Sequence, residues 1–201
     1  RLSAARPDLS ITLSSQVCPE IREYERQSTA CANAYVQPLM SRYLTKLDEA
    51  LQSMGFMCPF LLMTSGGGLT TLDTSIKFPV RLVESGPAGG AILATEIAKE
   101  CGIDNVLSFD MGGTTAKICL IDDYTPQMTR TFEVARVYRN LKGSGLPLRI
   151  PAIEMVEIGA GGGSIAKVDD MKRISVGPES SGASPGPVSY THLRAHETQQ
   201  H

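Results

Sequence analysis

An α/β protein with mixed sheets and packed helices is what these 201 residues predict. Three stretches carry that expectation. Between Ser28 and Met54, the residues Val36, Leu39, Met40, Tyr43, Leu44, Leu47 and Leu51 recur at helical spacing. Between Glu84 and about Cys101, Ala88, Ala91, Ile92, Ile97 and Ala98 give a second helix a small-residue face, and Gly102 ends it. Between Ser108 and Asp122 the chain reads SFDMGGTTAKICLID. Apolar residues run into Asp110, two glycines and two threonines follow, and an apolar run resumes. That is the pattern of strand, tight glycine turn, strand.

Composition narrows the classes. Hydrophobic residues make up 42% and charged residues 20%, as in a soluble globular protein. The net charge of −2 excludes a broad basic surface for nucleic acid. No apolar run approaches the roughly 20 residues that span a bilayer, so no membrane partner is expected. Cys18, Cys31, Cys58, Cys101 and Cys119 are widely spaced, odd in number and form no C-x-x-C pair. Reduced, mostly buried thiols in a cytoplasmic protein are the expected state, without a zinc site. The chain opens Arg-Leu-Ser with no signal peptide, as an internal fragment would.

In chain order, Ile11–Ser14 alternates as a strand does. Pro19 stands where a helix can begin, and Glu20 and Glu23 suit its N-terminus. Pro38 should kink or interrupt the long helix, Gly55 should stop it, and its aromatic and Met residues should be core. Phe60–Met63 predicts a buried strand, with Ser65-Gly66-Gly67-Gly68 at its end as a cleft lining or a plain strand exit. Val80–Val83 predicts another strand. At the start of the second helix an anion site and close helix packing compete, and packing is preferred because the small residues continue past the first turn. Arg130–Val137 predicts a third strand, and Tyr138–Leu148 a mobile loop. Arg136, Arg139, Lys142 and Arg149 form a basic patch there, read as solvated. Ile150–Ile158 is strand-like, Ser164–Val168 and Arg173–Val176 read as a hairpin about Asp169-Asp170, and Gly177–Pro187 reads as a loop.

The chemistry concentrates at the glycine turn. Gly112 and Gly113 can adopt positive φ and bare their N–H groups, and Thr114 and Thr115 add hydroxyls. Consecutive N–H groups at such a turn make a concave nest for phosphate. Asp110 has the oxygen ligands that Mg²⁺ prefers. The turn therefore reads either as a holder of nucleotide phosphates, with Asp110 facing their metal ion or the attacking group, or as a surface hairpin with an acidic shoulder. A second run, Gly159-Ala160-Gly161-Gly162-Gly163, has four glycines in five positions. Its backbone is expected to approach a ligand or a neighbouring strand closely. No Ser-His-Asp set, HExxH or P-loop motif is present, and the only histidines, His192, His196 and His201, lie in the last ten residues.

Four stretches in order, RLVESGPAGGAILA, SFDMGGTTAKICLID, EMVEIGAGGGSIAKVD and SVGPESSGASPGP, resemble the A-type subunit of the hydantoinase/oxoprolinase family. The resemblance covers roughly Ile11 to Pro187. It implies an actin-like ATPase fold, in which each of two lobes carries a phosphate-binding hairpin and ATP sits between them. Residues 1–104 would then be the end of the first lobe with connecting helices, and 105–187 the start of the second. Gly112, Gly113, Thr114 and Thr115 would hold phosphates together with Gly161, Gly162 and Gly163. Asp110 would serve as catalytic and Mg²⁺-binding carboxylate. In such enzymes ATP phosphorylates an amide or carbonyl oxygen, and hydrolysis or carboxylation follows. The implied substrate is a cyclic amide of hydantoin or 5-oxoproline type, and the implied partner a B-type hydantoinase subunit. Relatives of the carboxylase branch and a non-catalytic module of the same fold are the alternatives. Lys117 stands where one branch has an acid, and Val156-Glu157 where relatives often have His-Thr. A first D-x-G-G-T-like hairpin is expected upstream of these residues. Residues 188–201 break the pattern and read as a non-native tail.

Overall fold

The computed structural model describes residues 2–6, 9–138, 141 and 143–182. Arg139, Lys142, the end of the loop expected to Pro187, and the 188–201 tail with its histidines lie outside them. The chain divides into two compact units. Residues 1–93 with 126–154 form one, and 94–125 with 155 onward the other.

The first unit opens with short helices α1 (Leu2–Ala5) and α2 (Ser14–Val17), then α3 (Glu23–Ser53). Ile11–Ser14 is not the expected strand. Ser10 and Thr12 donate their hydroxyls to Gln37 Oε1 at 2.9 and 3.0 Å, which pins this segment to α3 instead of to a sheet edge. Glu23 and Glu25 stand in the first turn of α3, where the helix dipole favours them. The expected break at Pro38 does not occur, and the helix runs through it. Pro38 is exposed, so the carbonyl it leaves without a donor can meet water.

The inner face of α3 also departs from expectation. Leu44 is buried, but Tyr35, Leu39 and Tyr43 are exposed, and the other buried positions are Ser28, Thr29 and Asn33. The reason is backbone docking. Asn33 Nδ2 donates to the Lys77 carbonyl and to Thr12 Oγ1, both at 3.1 Å, and its Oδ1 accepts from the Val80 N–H at 3.3 Å. Polar side chains are selected where a helix meets chain ends that need partners. Asn33→Ala leaves those groups unpaired in the interior and is expected to cost about 2–4 kcal/mol. Chemical denaturation of the purified chain measures it.

Strands β1 (Leu61–Met63) and β2 (Leu69–Thr71) form a hairpin. β1 is only partly buried, not the buried strand expected. Gly67 turns the hairpin at φ +80°, where an added Cβ would meet Ile92 at 2.7 Å. Helix α4 (Leu72–Lys77) follows, with Thr71 accepting from the Thr74 N–H as its cap. Pro79–Leu82 is a 3-10 helix, not a strand. Pro79 sets its first turn, and the Ser65 N–H and hydroxyl fasten to the Arg81 carbonyl at 2.8 Å. Helix α5 (Ser85–Cys101) buries Ala88, Ala91 and Ala98, the packing expected of small residues, and a Cβ added at Gly89 would come into ordinary contact with Met63 at 3.8 Å. Gly102 ends it at φ +67°.

Strand β3 (Asn105–Met111) pairs antiparallel with β4 (Ala116–Asp122), from Asn105↔Asp122 to Met111↔Ala116. β5 (Thr125–Pro126) adds to β4. β6 (Met128–Thr129) follows, and of the strand expected at 130–137 only β7 (Phe132–Val134) forms, pairing with β8 (Leu146–Leu148). Likewise 150–158 is split into β9 (Ala152–Ile153), which pairs with β6, and β10 (Val156–Ile158), which pairs with β4. The split falls where the chain passes from one unit to the other. Val17, Val80, Leu148 and Ile150 form the core of the first unit, with Phe78, Phe132 and Val134 packed on it.

β11 (Ser164–Val168) and β12 (Ile174–Ser180) form the expected hairpin, although β12 extends to Ser180, into the start of what reads as a loop. Asp169 Oδ1 closes its turn by accepting from the Met171 and Arg173 N–H groups at 2.9 and 2.8 Å. Those bonds and the Arg173 guanidinium hold the Asp169 carboxyl below its usual range. Of the expected basic patch, only Arg136 and Arg149 fall among the described residues, and both are ion-paired. Arg136 pairs with Glu133 at 2.8 Å and Arg149 with Glu20 at 2.6 Å.

Candidate functional site

The β3–β4 hairpin places Asp110 one residue before the end of β3 and Gly112–Thr115 in the turn. Both flanking strands are rich in residues that favour a pleated surface, and the glycine pair is the only break between them. The Gly112 N–H closes the turn on the Thr115 carbonyl at 2.9 Å. The N–H groups of Gly113, Thr114 and Thr115 donate to no backbone acceptor among the described residues. Gly113 is buried, Thr115 half-buried and Thr114 exposed. The Asp110 carboxylate is exposed and has no hydrogen-bond or ion-pair partner among the described residues.

The second glycine run lies directly on this turn. Gly162 donates its N–H to the Gly112 carbonyl and Gly163 to the Gly113 carbonyl, both at 2.9 Å. A Cβ at Gly161 would stand 2.7 Å from Gly112 O, Gly113 C and Thr114 N, three backbone atoms that cannot step aside. One at Gly163 would stand 3.0 Å from Gly113 O. The Gly161 N–H is itself held by Ser164 Oγ at 3.0 Å. The close approach expected of these glycines is thus to neighbouring backbone. Their N–H groups at 162 and 163 are committed to the turn, and they fix its carbonyls on one side. Sequence reasoning grouped the two runs but did not foresee this brace, whose only signal was the density of glycine.

Neither Gly112 nor Gly113 adopts the positive φ expected of them. Three consecutive N–H groups without backbone acceptors, two hydroxyls and a lone carboxylate offer donors to anionic oxygens and one ligand to a cation. Among the described residues no group of three or more His, Cys, Asp or Glu side chains stands together to hold a metal by itself. Burial and the nearby Glu20 push the Cys18 thiol up. None of the five cysteines is in a disulfide, and Cys31, Cys58 and Cys101 are exposed, against the expectation that most are buried. Among the described residues no helix is long and apolar enough to cross a membrane.

Comparison with known proteins follows the same line. The family model described as hydantoinase/oxoprolinase matches residues 26–197. The caprolactamase subunit alpha of Pseudomonas jessenii is 38% identical over 187 residues, which cover 93% of this chain and 26% of that protein. The crystal structure of the ATP-dependent caprolactamase from the same organism superposes with a TM-score of 0.71 at 35% identity, covering 94% of this chain and 26% of that one. The nucleotide-free acetone carboxylase structure gives 0.65 at 26% identity, covering 84% and 22%. The chain spans about a quarter of the length of the curated relatives it matches. Its fold is that of the actin-like ATPases, as in both of those structures. With the family model covering most of its length, the chain belongs to the hydantoinase/oxoprolinase family.

Proposed function

We propose that this chain is part of a longer ATP-dependent hydrolase subunit that activates and opens cyclic amides. One observation carries the reading: three consecutive turn N–H groups stand without backbone acceptors beside an unpartnered carboxylate, on a turn braced from behind. In this reading Gly113, Thr114 and Thr115 receive phosphate oxygens through N–H and hydroxyl donors. Gly112 closes the turn, Gly161, Gly162 and Gly163 hold it, and Asp110 takes Mg²⁺. When bound, the Mg-nucleotide supplies the phosphoryl group that makes the amide oxygen a leaving group. The chain's own part is preorganisation: donors already aimed at developing charge need not reorient during transfer.

Hydrolase is favoured over carboxylase by the greater likeness to the caprolactamase, whose name denotes a cyclic amide substrate. The exposed apolar side chains Leu107, Phe109, Met111, Leu120, Val156 and Ile158 share one face of the β3–β4–β10 sheet, and such a face is normally covered. That supports a longer polypeptide and a B-type partner subunit. Five cysteines without a disulfide fit a cytoplasmic setting. The test is ATP turnover by the longer protein. Cyclic amides of lactam, hydantoin or 5-oxoproline type are expected to stimulate it, with bicarbonate having no effect. Stimulation by a ketone plus bicarbonate would move the protein to the carboxylase branch. The 201-residue chain alone is expected to bind Mg-ATP weakly or not at all by calorimetry.

A further inference from the structure

The brace on the glycine turn is itself made of the freest kind of backbone. Gly159-Ala160-Gly161-Gly162-Gly163 carries no side chain larger than a methyl, so side-chain packing cannot set its shape, and its conformational entropy opposes any fixed geometry. Yet the Gly162 and Gly163 N–H groups meet the Gly112 and Gly113 carbonyls at 2.9 Å. Hydrogen bonds from the next element set that aim. The Ser164 N–H donates to the Gly161 carbonyl at 2.9 Å, and the Gly161 N–H donates back to Ser164 Oγ at 3.0 Å. These two bonds close residues 161–164 into one turn, with Gly162 and Gly163 between its ends. Beyond it, the Gly163 carbonyl accepts from the Ser181 N–H at 2.8 Å.

Ser164 stands at the root of the β11–β12 hairpin, opposite Ser180. The register breaks just past it: β11 takes two steps from Ser164 to Ala166 where β12 takes four from Val176 to Ser180. An irregularity of this kind frees a side chain from the strand's alternation. Here the freed hydroxyl serves the glycine run. Ser164 and Gly161 are both half-buried, so water replaces the hydroxyl poorly as an acceptor for the Gly161 N–H. We propose that Ser164 is a positioning residue for nucleotide phosphates: by fixing the Gly161 N–H, its hydroxyl holds Gly162 and Gly163 on the turn and keeps the Gly113–Thr115 N–H groups set for phosphate oxygens. This rests on the phosphate reading of the turn. Ser164 acts through two layers of backbone and touches no ligand.

The experiment compares Ser164→Thr with Ser164→Val in the longer protein, two side chains of the same shape that differ in the hydroxyl. Calorimetry gives the Mg-ATP dissociation constants. Ser164→Thr is expected to bind within about twofold of the wild type, and Ser164→Val about three- to tenfold more weakly, the share of one hydrogen bond. Both residues suit a strand, so their melting temperatures are expected to lie within a few degrees of each other. Ser164→Ala is expected to repeat the valine result, and it keeps the test open should the valine variant not fold. A merely structural serine would shift the melting temperature without separating the two affinities, and equal Mg-ATP binding by the threonine and valine variants overturns the proposal. Asp110→Asn separates this from the reading beneath it. If that variant binds Mg-ATP as the wild type does, the turn is not the phosphate site and Ser164 has nothing to position. If it weakens Mg-ATP while the threonine and valine variants bind alike, only the role of Ser164 falls.

Discussion

Asp110→Asn in the longer protein is expected to reduce ATP turnover by at least about a thousandfold while leaving the melting temperature within a few degrees. The size follows from the position. Asp110 is exposed at the end of β3, and among the described residues it has no hydrogen-bond or ion-pair partner to lose. Its removal therefore disturbs little in the folded chain. The substitution keeps the shape of the side chain and removes only its charge and one metal-ligating oxygen. The loss should consequently fall on kcat and on the Mg²⁺ requirement, not on circular dichroism or thermal unfolding. A variant that keeps turnover within tenfold of the wild type would remove Asp110 from the chemistry. A variant that also unfolds would mean the carboxylate serves the fold.

How far the sequence revealed this site depended on the range of the interactions. The β3–β4 hairpin was legible because everything that defines it lies within 18 positions. Its glycine pair, the apolar runs on either side and the acid at the strand end are local signals, and the observed register from Asn105↔Asp122 to Met111↔Ala116 agrees with them. Helix α5 was legible for the same reason: its small residues and the stop at Gly102 are neighbours in sequence. Short apolar runs were not. Val80–Val83 read as a strand, but Pro79 together with the Ser65–Arg81 hydrogen bond makes it a tight helical turn. The inner face of α3 was misread because periodicity counts apolar side chains. Asn33 is buried to satisfy backbone groups more than 40 positions away. The brace on the glycine turn was out of reach for a related reason. It depends on β10 and the second glycine run lying beside β4 and its turn, a pairing that no local pattern announces.

Gly161→Ala tests the brace, and its expected effect is large in both stability and binding. The new methyl would sit 2.7 Å from the carbonyl oxygen of Gly112, the carbonyl carbon of Gly113 and the nitrogen of Thr114. No flexible side chain is available to move. Either the 159–163 run lifts away or the 112–114 turn is pushed forward. Lifting away breaks the 2.9 Å bonds from Gly162 to Gly112 and from Gly163 to Gly113. Overpacking of this kind costs about 1–3 kcal/mol, and two lost hydrogen bonds add about 1 kcal/mol each. Pushing forward rotates the Gly113–Thr115 N–H groups away from the geometry a phosphate needs. In both cases Mg-ATP affinity in the longer protein is expected to fall by at least about tenfold, because donors misplaced by a fraction of an ångström lose most of their hold on charge. Gly162 is the internal comparison. It is exposed, whereas Gly161 is half-buried against the turn. Gly162→Ala keeps the N–H that bonds the turn, so it should cost less than half as much in a melting experiment and leave nucleotide affinity near the wild-type value. Equal losses in the two variants would show that the run contributes through general flexibility and not through the backbone contact at Gly161.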